Sequence, residues 1–273
     1  MQDLVRNRHI LRLLLPMFTA ALLAAACTPA NQTTGHNSLF IGHSFFKPPA
    51  EAMPFHTSNA GLTDHAQQMV TAGNANGAPE ALWNNNSKRA QIQGILDGGD
   101  IELFGMTYHY QYPGASGYVN WITYALDKNS DTKFFIAIPW WDFPSSVDAA
   151  TYADTWRTEY AAGFPRLDWL RGQFPGTDIY AIPYGEAAVT LREMHDAGQL
   201  PEIGAMTGPQ GLFTDNKGHP GPIVKELSAL IWLRAIYGVQ MSTYNYDHGY
   251  DADLLGIADA IMDAHNPAYN TAP

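Results

Sequence analysis

Short apolar runs alternate along the chain with longer segments in which apolar residues recur every three or four positions. The short runs predict strands at 39–41, 67–71, 101–107, 134–138 and 179–182. The longer segments predict helices at 79–83, 88–96, 152–164, 165–171, 187–197, 223–237 and 254–265. Strands that alternate with helices are typical of an α/β fold, so we expect a three-layer α/β/α sandwich with a mostly parallel central sheet.

Two segments fit more than one element. Residues 117–126 have helical spacing, but their apolar residues also alternate as in a strand. Residues 49–59 allow a short helix, which Pro54 opposes because proline removes a helical hydrogen bond. No linker or repeat interrupts residues 38–273, and this continuity predicts a single domain there.

The N-terminal segment differs from the rest of the chain. Three arginines precede an apolar stretch at 13–26, which is shorter than the roughly 20 apolar residues of a membrane-spanning helix. This arrangement predicts a signal peptide at 1–26 and therefore export. The stretch ends in Ala24-Ala25-Ala26-Cys27 and so resembles a bacterial lipoprotein signal.

The lipoprotein resemblance implies that Cys27 is lipidated and becomes the new N-terminus. Residues 27–37 then form a tether to the membrane, which the protein contacts only through this lipid. The expected location is the outer membrane, facing the periplasm or the cell surface. The alternative is ordinary cleavage after the alanines, which leaves Cys27 unmodified and the protein periplasmic or secreted.

Composition excludes several classes of function. The net charge of −11 disfavours nucleic-acid binding, because few basic side chains are present to neutralise phosphates. Cys27 is the only cysteine, so we expect no disulfide and no cysteine metal site in the folded part. The ten histidines show no metal-ligand spacing, and no metal or other cofactor is predicted.

Polar and aromatic residues follow the predicted strands. They include Ser44, the loop at 73–77, the Thr107-Tyr108-His109 segment and the Trp140-Trp141-Asp142 segment. The carboxyl ends of parallel strands lie at one edge of a sheet, where open α/β sheets bind ligands. We therefore expect these residues to line one cleft.

One combination of residues is suited to ester hydrolysis, which needs a nucleophile, a base and oxyanion donors. Ser44 follows the first strand in Gly42-His43-Ser44, and His219 can take its proton. Asp215 can orient His219 and stabilise its cation. No G-x-S-x-G is present, which excludes the nucleophile elbow of the α/β-hydrolases.

This pattern resembles the SGNH hydrolase (GDSL-like esterase) superfamily, whose first strand ends in Gly-Asp-Ser or a variant. The resemblance implies a flavodoxin-like fold and a serine esterase that removes acyl groups, chiefly acetyl, from carbohydrates. It implies Ser44, His219 and Asp215 as catalytic residues. It also implies oxyanion donors at Ser44 and at Gly77 or Gly73.

Three positions depart from the family pattern. His43 replaces the usual Asp or Asn, and the spacing from Asp215 to His219 is one residue longer, which leaves Asn216 at the expected position. Thr107 stands where the family has an oxyanion asparagine. Thr107 is therefore the predicted third donor.

His109 and Asn76 are alternatives to Thr107 as this donor. Both are also candidates for substrate binding, as are the neighbouring side chains His43, Trp140 and Trp141. The two tryptophans suit the stacking of a sugar ring, or else they pack in the core. The expected partner is a small-molecule or glycan ester. A second hypothesis is a glycan-binding lipoprotein that keeps the fold without catalysis.

Overall fold

The computed structural model describes residues 34–270. The predicted signal peptide, the lipidation at Cys27 and most of the tether lie outside the described residues. The strands are β1 (Asn37–Gly42), β2 (Ala66–Thr71), β3 (Leu103–Thr107), β4 (Lys133–Ala137) and β5 (Ile179–Ile182). The helices are α1 (Lys47–Asn59), α2 (Pro79–Asn84), α3 (Asn86–Leu96), α4 (Ser116–Lys128), α5 (Ala149–Ala162), α6 (Phe164–Gln173), α7 (Gly185–Asp196), α8 (Pro222–Tyr237) and α9 (Leu254–Ala264). Short 3₁₀ turns lie at Asn74–Gly77, Met241–Thr243 and Pro267–Tyr269.

The five strands form one parallel sheet in the order β2-β1-β3-β4-β5. This arrangement confirms the predicted α/β class with a parallel central sheet. The chain leaves β1 toward β2 on one side and returns to β3 on the other, so the strand order reverses at β1. In open α/β sheets, ligands bind in the crevice at such a reversal, beyond the carboxyl ends of the strands.

Apolar residues cover both faces of the sheet. On one face Phe40, Phe135 and Tyr180 pack with residues of α1, α7 and α8. On the other face Leu39 and Phe104 pack with residues of α3, α4 and α6. Adjacent residues of a strand point to opposite faces, so continuous apolar strands such as β1 supply both cores.

The helix α8 is buried on nearly every side, since it contacts α1, α7, α9 and β5. A helix that is apolar all round is expected in such an enclosed position. Across residues 34–270, no helix has both the length and the apolar composition that crossing a bilayer requires.

The structure resolves the two ambiguous segments as helices. α1 continues through Pro54, because Ala50 and Met53 are fully buried and because the Ala50 carbonyl, which loses its helical donor at Pro54, accepts from the Gln67 side chain at 2.9 Å. Packing and this substitute hydrogen bond thus outweigh the one that proline removes. In α4, Trp121, Ile122 and Ala125 share one buried face, as a helix requires.

The first strand begins at Asn37, two residues before the predicted start. The Asn37 backbone N–H donates to the Glu102 carboxylate at 2.8 Å, and the Asn37 side chain donates to the Asp100 carbonyl at 3.1 Å. These partners are far away in sequence. The start of β1 is therefore determined by tertiary contacts that the local pattern does not contain.

Candidate active site

Ser44 lies in the turn between β1 and α1, at the edge of the sheet where the strand order reverses. The turn is closed by the His43 carbonyl, which accepts from the Phe46 and Lys47 N–H groups at 3.1 and 3.0 Å. The half-buried Ser44 hydroxyl lies 2.9 Å from Nε2 of His219, although the two residues are 175 positions apart. The fold therefore brings together the predicted nucleophile and the predicted base.

Asp215 completes a chain of hydrogen bonds with these two residues. Its Oδ2 lies 2.7 Å from Nδ1 of His219, and its Oδ1 accepts from the N–H groups of Gly218 and His219 at 3.1 and 3.2 Å. Because a carboxylate can only accept, Nδ1 carries the proton and Nε2 is free to accept from Ser44. Burial would raise the pKa of Asp215, but the hydrogen bonds from His219 and Gly218 hold it below its ordinary value.

The longer spacing between Asp215 and His219 is accommodated by Gly218. Gly218 has φ +99°, in a region that residues with a Cβ rarely adopt, and a Cβ there would lie 2.7 Å from Pro144. This conformation lets the chain turn back so that the His219 ring meets the Asp215 carboxylate. Asn216, at the position the family pattern would use, is exposed.

Trp140 packs against the loop that carries Asp215 and His219. It is 2% exposed, and its indole N–H donates to the Gly218 carbonyl at 2.8 Å. Phe45 stacks on Trp140 with ring centroids 5.0 Å apart and meets His219 edge-on at 5.2 Å. Of the two readings for Trp140, stacking on sugar or packing in the core, these contacts favour packing and support of the histidine loop.

His43 is held in a single neutral form. Its Nδ1 accepts from the Phe45 N–H at 3.2 Å, so the ring proton resides on Nε2, which lies 3.1 Å from the Tyr108 carbonyl. Burial, the largest influence, lowers the pKa of His43 to about 3. The neutral His43 ring therefore connects the end of β1 to the end of β3 through hydrogen bonds.

The Thr107 hydroxyl takes part in the same network. Its oxygen lies 3.1 Å from Nε2 of His43 and 3.3 Å from the Tyr108 carbonyl, and the residue is completely buried. A hydroxyl in this environment is not exposed to a bound ester. This placement does not favour the prediction that Thr107 is an oxyanion donor.

Gly77 lies against the backbone next to Ser44. A Cβ on residue 77 would be 2.5 Å from the Gly42 carbonyl oxygen and 2.6 Å from the His43 Cα, so only glycine allows this close approach. Gly73, the alternative donor position, is exposed at the start of the same turn. The contact therefore favours Gly77 over Gly73.

Asn74 belongs to the loop at 73–77 that the sequence predicts to line the cleft, but the sequence by itself indicates no specific role for it. It has φ +53° and lines the cavity that contains Ser44, here called the Ser44 cavity. Its Oδ1 accepts a hydrogen bond from the Lys217 ammonium, which lies 3.8 Å from the Asp142 carboxylate. Because the lysine can only donate, the Asn74 amide group faces away from it and is available as a donor.

A sequence signal for Asn74 did exist. Asparagine tolerates left-handed backbone conformations, and such residues cluster at functional sites. Asn76, the residue proposed instead, is exposed on the same turn.

An aromatic wall forms the other side of the Ser44 cavity. His109 stacks on Tyr110 with ring centroids 4.9 Å apart, and Tyr110 lies 5.3 Å from Trp141. Burial, the largest influence, lowers the pKa of His109. Of the predicted binding residues, His43, His109, Trp140 and Trp141 line this cavity with Ser44. Within residues 34–270, no group of three or more His, Cys, Asp or Glu side chains is arranged to hold a metal ion.

Comparison with known proteins gives little further information. No protein family model matches the sequence, and no curated protein matches it. Among solved structures, the chain is similar to the periplasmic domain of a lipopolysaccharide acetyltransferase from Salmonella ser. Paratyphi A. That match has a TM-score of 0.34 and 13% identity, and it covers 57% of this chain and 69% of the other. Similarity at this level does not bear on function.

Proposed function

We propose that the protein is a serine ester hydrolase in which Ser44 is the nucleophile. The observation that carries this proposal is the continuous hydrogen-bond chain from Ser44 through His219 to Asp215, with distances of 2.9 and 2.7 Å. These distances lie within the range required for proton transfer between a nucleophile and its base. The position of Ser44 at the reversal of strand order supports the same conclusion.

The reaction proceeds in two steps. Ser44 Oγ attacks the ester carbonyl carbon, and its proton passes to Nε2 of His219. The bond to the alcohol breaks, and His219 returns this proton to the leaving oxygen. Water then attacks the acyl-serine, gives a proton to His219, and releases the acid as Ser44 recovers its proton. Asp215 stabilises the histidine cation in both steps.

The oxyanion is held by backbone N–H groups of Ser44 and Gly77, with the Asn74 amide as the side-chain donor. Asn74 takes this role in place of Thr107, because the Thr107 hydroxyl is buried and already hydrogen-bonded to its neighbours. The Lys217 contact orients the Asn74 amide. Donors that are fixed before the reaction stabilise the developing charge without reorganisation.

The substrate class is an acyl ester of a carbohydrate, with acetyl esters as the family resemblance implies. Polar residues that line the Ser44 cavity, such as Asn74, Asp142 and Lys217, suit the hydroxyl groups of a sugar. Water or a second alcohol can accept the acyl group in the second step. We propose water, because the half-exposed His219 is open to solvent.

The test is turnover of 4-nitrophenyl acetate by residues 34–273, compared with Ser44→Ala and His219→Ala. We expect each substitution to lower kcat/KM by roughly a thousandfold or more. Ser58→Ala, an exposed serine on α1, is the matched control and is expected to leave activity unchanged. Activity retained in Ser44→Ala would refute the proposal. No turnover of any ester by the parent, together with saturable glycan binding, would favour the glycan-binding alternative.

A further inference from the structure

A second, larger cavity adjoins the Ser44 cavity, and we call it the aromatic cavity. The Ser44 cavity measures about 50 Å³, whereas the aromatic cavity measures about 420 Å³. The same five residues line both: Tyr108, Tyr110, Ile138, Trp141 and Glu159. The two cavities therefore adjoin at these shared side chains, and Ser44 lines the smaller one.

The floor of the aromatic cavity is apolar, and aromatic rings form much of its walls. It extends between the sheet and α6, where Ile136, Ala181 and Leu167 form its floor. Five aromatic side chains line it, namely Tyr108, Tyr110, Tyr118, Trp141 and Phe164. The Tyr118 hydroxyl donates to the Thr107 carbonyl at 3.0 Å, so this hydroxyl is already satisfied. The lining therefore presents mainly ring surfaces to an occupant.

Charged groups lie at the sides of the cavity. Arg166 lies over the Tyr108 ring, 5.0 Å from its centroid, and Glu159 is exposed. Neither belongs to the buried floor formed by β4 and β5. An occupant would therefore meet an apolar floor, with Arg166 and Glu159 at its sides.

The polarity of the cavity decides which half of an ester it accepts. A sugar hydroxyl buried against the floor of Ile136, Leu167 and Ala181 would lose its hydrogen bonds to water without replacement. An apolar acyl group instead gains from leaving water. The alcohol therefore remains on the open side, near His219, and the acyl group enters the aromatic cavity. An acetyl group fits beside Ser44 and would leave the larger cavity unfilled.

We propose that the aromatic cavity is an acyl-binding site for arylalkanoyl groups, such as a phenylpropanoyl group, rather than for acetyl alone. This inference rests on the proposed ester hydrolysis at Ser44. Paired aromatic rings gain from contact with one another beyond the burial of their surface, so these walls favour a flat acyl ring over a saturated hydrocarbon ring of equal size. The aromatic walls thus select the acyl group, and Ser44 attacks its carbonyl carbon.

The first experiment compares 4-nitrophenyl esters that share one leaving group and differ in the acyl group. The acyl groups are acetyl, 3-cyclohexylpropanoyl and 3-phenylpropanoyl. We expect kcat/KM for the phenylpropanoyl ester to exceed that for the acetyl ester at least tenfold. We expect it to exceed that for the cyclohexyl ester by roughly 2- to 12-fold, the range for an aromatic contact. Acetyl equal to or better than phenylpropanoyl would overturn the proposal, as would equal rates for the two rings.

The second experiment narrows the cavity. Ala161 and Ala162 are both exposed at the end of α5, but only Ala162 lines the aromatic cavity, and Ala161 lines neither cavity. Ala162→Phe is expected to lower kcat/KM for the phenylpropanoyl ester at least tenfold more than for the acetyl ester. Ala161→Phe is the matched control, with the same added volume on the same helix. The assignment of the aromatic cavity as the acyl-binding site would be overturned if both variants changed the ratio of kcat/KM for the phenylpropanoyl ester to kcat/KM for the acetyl ester by the same factor.

A binding measurement separates this inference from the proposed function. Calorimetry of 3-phenylpropanoate with Ser44→Ala does not depend on turnover. Saturable binding that is lost in the Ser44→Ala, Ala162→Phe double variant and retained with Ala161→Phe supports the site, even if the parent hydrolyses no ester. Absence of binding to Ser44→Ala overturns the site, even if the parent hydrolyses 4-nitrophenyl acetate.

Discussion

The polar half of the cleft comprises Ser44, Asp215 and His219, which are connected by hydrogen bonds of 2.9 and 2.7 Å. The aromatic half comprises Tyr108, Tyr110 and Trp141, and Tyr110 and Trp141 lie 5.3 Å apart with their rings tilted by 38°. A hydrogen bond weakens steeply with distance and angle, whereas ring packing changes gradually. The two halves should therefore respond differently to substitution, with large losses in the first and graded losses in the second.

The largest effect is expected from the carboxylate of the polar half. Asp215→Asn cannot stabilise the histidine cation and can impose the wrong histidine tautomer, so kcat/KM for 4-nitrophenyl acetate should fall roughly a thousand- to ten-thousand-fold. The control is Asn216→Ala, at the exposed position that the family spacing would use. A larger loss in Asn216→Ala than in Asp215→Asn would show that Asn216, and not Asp215, supports His219.

A smaller loss is expected from the proposed oxyanion donor. Asn74→Gly removes the amide while allowing φ +53°, and kcat should fall roughly a hundredfold with KM little changed. Asn76→Ala, on the same turn, serves as the control. Thr107→Val should cost less activity than Asn74→Gly, because the Thr107 hydroxyl does not face solvent. A larger loss of activity in Thr107→Val than in Asn74→Gly would instead identify Thr107 as the oxyanion donor.

His43, which braces the two halves, should control acid stability. Its pKa is about 3 in the folded protein and roughly 6.5 when unfolded, so the unfolded state binds more protons below pH 6.5. Stability therefore falls as pH falls from 7 toward 3. Between pH 7 and pH 5, His43 accounts for about 2 kcal/mol of this loss.

The contribution of His43 is tested by measuring the free energy of unfolding with urea at pH 7 and at pH 5. His43→Gln is expected to be less stable than the parent at pH 7 but to lose about 2 kcal/mol less on going to pH 5. Asn76→Ala removes no titratable group and should keep the pH dependence of the parent. An unchanged pH dependence in His43→Gln would contradict the neutral, buried state of this ring.

The smallest effect is expected in the aromatic half. Tyr110→Ala removes one of several ring contacts, so KM for the phenylpropanoyl ester should rise roughly 2- to 12-fold with kcat little changed. Phe55→Ala, an exposed aromatic residue on α1, is the control. A loss in Tyr110→Ala as large as that in Asp215→Asn would mean that the two halves do not differ as described.

Much of the fold could be predicted from local patterns. The runs at 134–138 and 179–182 predict β4 and β5 closely, because buried strands are continuous and apolar. α1 was the hardest element to predict, because Pro54 opposes a helix locally. The burial of Met53 against the core stabilises that helix and is not visible in its own sequence.

The candidate site likewise contains some residues that could be predicted from the sequence and others that only the structure identifies. Ser44, His219 and Asp215 could be predicted, because ester hydrolysis needs these residue types and the resemblance implies where they lie in the chain, and their catalytic roles stay a prediction. The loop at 73–77 could be predicted to line the cleft, but the contact between Asn74 and Lys217 could not, because it joins positions 143 residues apart. Thr107 stands where the resemblance implies an oxyanion donor, but its buried hydroxyl lies 3.1 Å from Nε2 of His43, a contact that the local sequence does not show.

The sequence by itself determined the class of fold and the chemical groups available, since periodicity and residue type are local properties. Only the tertiary structure decided how these groups are used. It placed Ser44 within 2.9 Å of His219, buried Trp140 beneath the histidine loop, and enclosed the aromatic cavity between β4, β5 and α6. A cavity is the space that several packed elements leave between them, so no single stretch of the chain encodes its size or its walls.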